Sequence, residues 1–207
     1  MNLKEEKYSG FSLIREMLET PGIISSFDPK ISERFVKPIS AKKGLLLAGE
    51  GSSRLFPAKR AIWSNLKKDF LMPVITEGCT QAMEYNLDDF AVFLPSNSGQ
   101  TKEVIRLVNF LKAKNHKPVF GLTANENTML QKLADDTHVL TCGKEEAVAA
   151  SKSVVEQALF YDSLLRNIRG EKMEGLSTLA GQTKEVLTSP IDKSITELLT
   201  KTDIIYF

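Results

Sequence analysis

The chain has 207 residues, a length that suits one domain with appendages. With 42% apolar and 26% charged residues, its composition is that of a globular protein and not of a disordered one. Its 27 Lys and Arg residues balance 26 Asp and Glu residues, and the net charge of +1 argues against binding nucleic acid or an anionic membrane by bulk charge. The apolar runs fall far short of the ~20 residues that span a bilayer, and the N-terminus lacks a signal-peptide core. We therefore expect a cytoplasmic protein with no nucleic-acid or membrane partner.

Residues 1–42 are predicted to form a helical N-terminal arm. Ser12–Glu19 has an apolar stripe with helical spacing, and Pro21-Gly22 is expected to end that helix. Pro29 and Pro38 are expected to break the stretch that follows.

Residues 43–170 alternate short apolar runs with helical patterns. Strands are predicted for Leu45–Ala48, Met72–Thr76, Phe90–Leu94, Val119–Leu122 and Thr137–Leu140. Helices, notably Phe56–Leu66 and Val104–Leu111, separate the earlier strands. Runs that are apolar on both faces suit parallel strands covered on both sides. The pattern predicts an α/β fold with a five-stranded, doubly wound parallel sheet in flavodoxin-like order.

The remainder of the chain is predicted to be helical. A long amphipathic helix is expected over Ala147–Ile168 with Gly170 as its cap, followed by helices over Leu176–Leu187 and Ile191–Leu199. Residues 171–207 are then a helical extension, and Thr202–Phe207 resembles the start of the first strand. Its apolar ending predicts either the first strand of a second, truncated copy of the domain or a strand or tail docked on this one.

Three predicted loops at the carboxyl edge of the sheet are rich in small and hydroxyl residues. They are Gly49–Arg54, Pro95–Thr101 and Glu146–Lys152, and each precedes a predicted helix. Helix N-termini offer free backbone N–H groups and a positive dipole end, which suits a phosphate. The spacing of Ser96, Ser98 and Thr101 lets one tight turn direct three hydroxyls at a single oxyanion. The alternative is that these serines only cap helices and fill turns.

Better-known sites are not supported by the sequence. The dinucleotide fingerprint fails at Arg54, and the P-loop and nucleophile-elbow motifs are absent. His116 and His138 have no partners at metal-ligand spacing and are expected in surface or turn positions. Cys79 and Cys142 are expected to be small buried residues. We expect neither a cofactor nor a metal.

The three loops resemble the signature segments of the SIS (sugar isomerase) domain family. The segments are Gly49-Glu50-Gly51-Ser52-Ser53, Ser96-Asn97-Ser98-Gly99-Gln100-Thr101 and Val148-Ala149-Ala150-Ser151-Lys152. The similarity is greatest to phosphosugar isomerases of the glucosamine-6-phosphate synthase and deglycase type. It extends to the arm, where Ile14–Pro21 resembles the helix that precedes the first such domain in those enzymes.

This resemblance implies a bound sugar phosphate. Ser96, Ser98 and Thr101 would hold the phosphate, with the backbone N–H of Asn97. Ser53 and the backbone around Val148 would contact the sugar. Ala150 replaces a serine frequent in the family, so one sugar contact is not carried over.

The catalytic residues of the family are not matched. In the two-domain isomerases, the acid–base glutamate lies on the first helix of the second domain, whereas the corresponding helix here, Ser53–Lys68, has no Asp or Glu. Isomerisation through an enediol needs a base near the C1 and C2 protons. Glu77 and Glu84 are the acids expected near the sheet edge, and Glu77 is the candidate base.

Three functions remain open at this point. The first is a sugar-phosphate-binding domain of a phosphosugar isomerase or deglycase that acts on a ketose or amino-sugar 6-phosphate. The second is a non-catalytic sugar-phosphate sensor, and the third is a half that pairs with a chain supplying the missing acid. The long helix and its flanking helices have more apolar positions than one sheet face covers, and Leu13, Ile14 and Met17 add an apolar stripe on the arm, so we also expect a homodimer or a higher homo-oligomer.

Overall fold

The structure is a computed structural model that describes residues 1–68 and 71–204. The strands are β1 (Gly44–Gly49), β2 (Val74–Gly78), β3 (Phe90–Pro95), β4 (Val119–Thr123) and β5 (Asp136–Val139). The helices are α1 (Glu6–Ser9), α2 (Ser12–Ser26), α3 (Glu33–Ser40), α4 (Gly51–Lys67), α5 (Cys79–Ala82), α6 (Lys102–Ala113), α7 (Met129–Leu133), α8 (Lys152–Arg169), α9 (Leu176–Thr188) and α10 (Lys193–Thr200). A 3₁₀ turn, Pro29–Ser32, joins α2 to α3. Each predicted strand of the sheet corresponds to an observed one.

All five strands are parallel, in the order β2-β1-β3-β4-β5. This confirms the predicted α/β fold with a doubly wound sheet in flavodoxin-like order. The chain moves from β1 to β2 on one side and returns to place β3 on the other side of β1. The crevice between the carboxyl ends of β1 and β3 is therefore the switch point at which such sheets bind ligands.

Helices cover both faces of the sheet. On one face, α2, α3, α4 and α8 surround an aromatic cluster of Phe35, Phe93, Phe120 and Phe160, in which neighbouring ring centroids lie 5.0–5.6 Å apart. On the other face, α5, α6 and α7 pack on residues such as Leu46 and Leu94. Burial of each large apolar side chain contributes about 1.5–3 kcal/mol, so these two layers hold the loops at the sheet edge in place.

The break expected at Pro29 is confirmed, because α2 ends before it, but the helix boundaries expected at Pro21 and Pro38 are wrong. α2 continues through Pro21 to Ser26, and α3 contains Pro38. A proline inside a helix costs roughly 3 kcal/mol. Ile24 lies beyond Pro21 and Ile39 beyond Pro38, and both are buried in the core, which offsets that cost. The first 42 residues thus contribute to the same core as the sheet.

The long helix also differs from the prediction at its start, because α8 begins at Lys152 and not at Ala147. The carboxylate of Glu145 accepts hydrogen bonds from the backbone N–H of Ser151 (2.8 Å) and of Ser153 (3.2 Å). The loop must fold back to bring Glu145 there, which keeps residues 147–151 out of the helix. The other end is as expected: Gly170 caps α8 in the left-handed region, at φ 71°.

The two histidines are buried, contrary to the expected surface or turn positions. His138 stacks on Phe160 with ring centroids 5.1 Å apart, and burial lowers its pKa to about 4. Burial also lowers the pKa of His116. Cys79 and Cys142 are buried as predicted. Because imidazole is a partly apolar ring, sequence alone does not distinguish a histidine packed in the core from one at a turn.

The last predicted strand is not observed in the residues that the structure describes. Thr202–Ile204 does not join the sheet, and Ile204 is exposed. Ile205–Phe207 lie outside the described residues. Among the helices of the described chain, none is both long and apolar enough to cross a membrane.

Candidate functional site

The three polar loops lie at the carboxyl edge of the sheet, as predicted. We refer to them as the β1–α4 loop (around Glu50), the β3–α6 loop (Ser96–Thr101) and the β5–α8 loop (Leu140–Ser151). The first two flank the switch point between β1 and β3, and the third approaches across β4.

The conformation of the β3–α6 loop depends on Gly99. Its φ is +61°, and its N–H donates to the Ser96 carbonyl at 2.9 Å. A Cβ on Gly99 would lie 2.3 Å from Cβ of Thr128, closer than packed carbons approach. Only glycine fits this backbone without strain and at this distance from α7.

The three predicted hydroxyl residues of this loop differ in their surroundings. Ser96 is buried, and its Oγ lies 2.8 Å from Oγ1 of Thr101. Ser98 is exposed and accepts a hydrogen bond from the Gln100 N–H at 3.2 Å. Because one hydrogen bond between two hydroxyls uses one of their two protons, the Ser96–Thr101 pair keeps an O–H for another acceptor. The loop leads into α6, whose first turn presents backbone N–H groups.

Asn97 joins this loop to the rest of the site. Its carbonyl accepts hydrogen bonds from three donors at the end of β4, which are Ala124 N–H, Thr123 Oγ1 and Asn125 Nδ2. Its side chain points the other way, towards α8. There Nδ2 donates to Glu145 Oε2 at 3.0 Å and lies 2.6 Å from Ser153 Oγ, while Oδ1 accepts from Gln157 Nε2 at 2.8 Å.

Glu145 is a central residue of the site, and sequence reasoning missed it. Besides Asn97, its carboxylate accepts from the backbone N–H groups of Ser151 and Ser153 and from both serine hydroxyls. The helix N-terminus predicted as an anion site is thus already occupied by a carboxylate of the chain itself. No usable signal in the sequence marked it, because Glu145 lies six residues before Ser151, the N-cap of α8, and so falls outside the usual capping position.

A second set of contacts holds the β5–α8 loop from the outside, through α2. Glu16 Oε1 accepts from the N–H groups of Glu146 (2.5 Å) and Ala147 (3.2 Å). Nζ of Lys152, which is buried, lies 2.7 Å from Glu19. Burial alone would lower the pKa of Lys152, but its ion pair with Glu19 raises it. The arm is therefore part of the framework of this loop.

A pocket of about 290 Å³ lies between the β3–α6 and β5–α8 loops. It is lined by Asn97, Ser98, Ala124, Asn125, Lys144, Glu145, Ala147, Val148 and Ala150. Three predicted site residues, Asn97, Ser98 and Val148, therefore meet at one pocket. Val148 is fully exposed, so its side chain is available for contact.

The β1–α4 loop lies beside this arrangement. Ser53 is half-buried in the first turn of α4, and Gly51 before it has φ +54°. Glu50 turns away from the crevice, since its Oε1 accepts from the backbone N–H of Cys79 at 2.9 Å. Ser53 is placed at the switch point but does not line the pocket next to Ser98.

Glu77, the candidate base, lies at the end of β2. Its carboxylate accepts from Gly78 N–H (2.9 Å) and from the Tyr85 hydroxyl (3.1 Å), and Arg54 lies 3.5 Å away. The Gly78 hydrogen bond, the Tyr85 hydrogen bond and the Arg54 charge hold the pKa of Glu77 below its usual value. β1 separates β2 from β3, so Glu77 is about 10 Å, two strand spacings, from the β3–α6 loop.

Metal binding finds no support in the described parts of the chain, where no three His, Cys, Asp or Glu side chains are grouped to hold an ion.

Comparisons with known proteins give a consistent result. The family model of the SIS domain matches residues 42–166. No curated protein matches the sequence. Among solved structures, the chain is similar to the C-terminal domain of glucosamine-fructose-6-phosphate aminotransferase from Francisella tularensis. The identity is 15% and the TM-score 0.64, and the alignment covers 88% of this chain and 55% of that one.

Two further structures are similar over most of the chain. Glucosamine-6-phosphate deaminase from Thermotoga maritima has 25% identity and a TM-score of 0.61, with 84% of this chain and 54% of that one covered. The NanR protein of Vibrio vulnificus, complexed with ManNAc-6P, has 16% identity and a TM-score of 0.58, with 93% and 69% covered. The chain spans about half the length of the Francisella C-terminal domain and of the Thermotoga protein.

Proposed function

The chain belongs to the SIS domain family, and on that premise we propose that it binds a sugar phosphate in the pocket between the β3–α6 and β5–α8 loops. The observation that supports this most is the convergence of Asn97, Ser98 and Val148, from two distant segments, on one pocket beside the N-terminus of α6. Its volume of about 290 Å³ is at the lower end of the range for small-molecule sites, which suits a monosaccharide phosphate.

In this proposal the phosphate binds at the start of α6. Ser98 donates its exposed hydroxyl, the Ser96–Thr101 pair donates its remaining O–H, and the backbone N–H of Asn97 adds a further donor. Lys144 lines the pocket and supplies a positive charge. Hydrogen bonds to a charged group contribute about 1.5–3 kcal/mol each, so few are needed for useful affinity.

The sugar would lie against the β5–α8 loop. The backbone around Val148 and the small side chain of Ala150 line that side of the pocket, and Ser53 approaches from the switch point. ManNAc-6P, named with the NanR structure, is a phosphorylated amino sugar, and the Francisella and Thermotoga proteins are named for glucosamine or fructose 6-phosphate. We therefore propose a ketose or amino-sugar 6-phosphate as the ligand.

An isomerase must both bind a sugar phosphate and transfer a proton, and the described residues support binding better than proton transfer. α4 has no Asp or Glu, and Glu77 is stabilised in its ionised form on the far side of β1. Glu145 is an acid at the pocket, but both of its oxygens already accept hydrogen bonds. We propose a phosphosugar-isomerase-type binding domain that obtains its acid–base group from elsewhere. The same observations favour, as a second candidate, a sugar-phosphate sensor without turnover.

We also propose a homodimer, but not through α8 as the sequence suggested. The apolar surface of α8 is covered by α2, α3 and α4 within the chain. An exposed apolar stripe lies instead on α4, where Phe56, Trp63 and Leu66 are half to two-thirds exposed. Sedimentation at micromolar concentration should give twice the 23.0 kDa chain mass, and Trp63→Ser should shift it towards the monomer. A single 23.0 kDa species of the unmodified chain would contradict this proposal.

The binding proposal is tested by thermal unfolding with and without ligand. Fructose 6-phosphate and glucosamine 6-phosphate should raise the melting temperature, and free fructose and glucosamine should not. A ligand at about 100 times its Kd stabilises the folded state by roughly 2.7 kcal/mol, which is readily measured. An equal response to free and phosphorylated sugars would refute a site built around the phosphate.

A further inference from the structure

The two loops that line the pocket are joined by a side-chain link through Glu145. One oxygen of its carboxylate accepts from Asn97 Nδ2 of the β3–α6 loop, and the other accepts from the backbone at the start of α8. Glu145 is half-buried, and Ser153 and Gln157, which complete the network with Asn97, are fully buried. The link therefore connects segments that are 48 residues apart in sequence.

The Glu145 carboxylate determines how Asn97 is oriented, because both of its oxygens accept hydrogen bonds. Because a carboxylate only accepts hydrogen bonds, the Nδ2 of Asn97 must face Glu145, which leaves Oδ1 for Gln157. The carboxylate at the same time neutralises the positive end of α8. The Glu145 side chain thus fixes where α8 begins and ties the β5–α8 loop to the β3–α6 loop.

The β3–α6 loop does not depend on this link for its own shape. The Asn97 carbonyl is held by donors at the end of β4, and Gly99 fixes the turn against Thr128. The β5–α8 loop depends on it more, because on its inner side Glu145 binds both Ser151 and Ser153. Loss of Glu145 should therefore displace the sugar side of the pocket and leave the phosphate side in place.

We propose that Glu145 is a positioning residue that sets the β5–α8 loop at the distance from the β3–α6 loop that a sugar phosphate requires. This inference rests on the proposed function and assigns the residue on which discrimination between a sugar phosphate and inorganic phosphate depends. Inorganic phosphate needs only the β3–α6 loop. A sugar phosphate needs both loops at the correct separation.

The inference predicts a loss of affinity for the sugar phosphate without a loss for inorganic phosphate. Glu145→Ala removes a negative charge next to an anion site, so inorganic phosphate should bind equally well or up to about threefold tighter. Glucosamine 6-phosphate should bind at least about tenfold more weakly, because the sugar side is displaced. Glu145→Gln keeps an acceptor for the α8 N–H groups but presents a donor to Asn97, and it should give an intermediate loss.

Glu146→Ala is the matched control. Glu146 is the adjacent acid, but its side chain lies away from Asn97 and makes an exposed ion pair with Arg15 at 3.0 Å, which contributes little to stability. Alanine keeps the backbone N–H that donates to Glu16. Titration calorimetry with both ligands should therefore give unmodified affinities for this variant. Asn97→Ala, which cuts the link from the other side, should weaken glucosamine 6-phosphate binding, and its effect should not add to that of Glu145→Ala.

Three calorimetric results would overturn the inference and leave the proposed function standing. They are an equal loss for both ligands, a gain for both ligands, and an unchanged preference for the sugar phosphate in Glu145→Ala. Failure of the unmodified chain to bind either ligand would refute the proposed function itself.

Hydrogen exchange without ligand tests the link independently and covers the case in which Glu145→Ala folds poorly. In Glu145→Gln, the amides of residues 144–153 should exchange faster than in the unmodified chain, while those of residues 96–101 should exchange at the same rate. In Glu146→Ala, the exchange rates of both segments should match those of the unmodified chain. Unchanged exchange over 144–153 would show that Glu145 does not hold the loop and would refute the inference.

Discussion

The two sides of the sheet edge are built differently. On the β3–β5 side, side chains from α2, α8 and two loops contact one another across long sequence separations, as Glu16 with Glu146 and Asn97 with Glu145. On the β2 side, Glu77 bonds to its neighbour Gly78 and to the nearby Tyr85 and Arg54. The contacts on the β3–β5 side join the two loops that line the pocket, whereas those on the β2 side hold a single carboxylate, that of Glu77, in its ionised form. One side of the edge thus supports the proposed binding pocket, and on the other side the lowered pKa of Glu77 disfavours it as a base.

The largest expected effect comes from Gly99 on the β3–β5 side. Gly99→Ala places a Cβ 2.3 Å from Thr128 and forces a non-glycine residue to φ +61°. We expect a loss of about 3 kcal/mol in the free energy of unfolding, measured by urea denaturation, together with loss of sugar-phosphate binding. Gly22→Ala is the control, because that helical position has open space and alanine should be neutral or slightly stabilising there. A Gly99→Ala protein of normal stability would show that the loop is not fixed in this conformation.

The next effect concerns the exposed hydroxyl of Ser98. Ser98→Ala should weaken sugar-phosphate binding by about 1.5–3 kcal/mol, because a hydrogen bond to a charged group is lost. The melting temperature without ligand should stay the same. Ser25→Ala on α2, where the hydroxyl donates to the Gly22 carbonyl within the same helix, should not change affinity. Equal affinities for the two variants would mean that Ser98 serves only the turn.

A smaller effect is expected where α2 holds the β5–α8 loop. Glu16→Ala removes the acceptor for two backbone N–H groups, those of Glu146 and Ala147, and should cost about 1–2 kcal/mol of stability. Sugar-phosphate affinity should fall as the loop loosens, measured by calorimetry. Glu6→Ala, on the exposed surface of α1, is the control. If Glu16→Ala leaves both quantities unchanged, the arm does not support the site.

The smallest effect is expected on the β2 side. Glu77→Gln should leave sugar-phosphate affinity unchanged within about twofold, since no described contact joins Glu77 to the pocket. Because its lowered pKa makes Glu77 a weak base, the unmodified chain in deuterated water should exchange the C1 protons of fructose 6-phosphate slowly or not at all, as followed by NMR. If the unmodified chain catalyses this exchange and Glu77→Gln abolishes it, Glu77 is the base. The β2 side would then be the catalytic side of the sheet edge, contrary to this expectation.

The strands and the loops that follow them could be predicted because buried parallel strands read as short apolar runs. The carboxyl ends of such strands meet at one edge, so the sequence alone was enough to place Ser98 and Val148 together. Glu145 and Glu16 could not be assigned, because their partners across the fold, Asn97 and the Glu146 N–H, lie 48 and 130 residues away in sequence and because acids usually face water. The passage of α2 through Pro21 was missed for a related reason: core packing beyond the proline overrides local propensity.

The location of the bound ligand tests the account most directly. Titration of the isotope-labelled chain with glucosamine 6-phosphate, followed by amide NMR spectra, reports which residues sense it. We expect the largest shifts at Ser98, Gly99, Val148 and Ala150, and none at Glu77 or Tyr85. Shifts centred on Glu77 and Tyr85, or no shifts at ligand concentrations that saturate related domains, would contradict binding between the β3–α6 and β5–α8 loops.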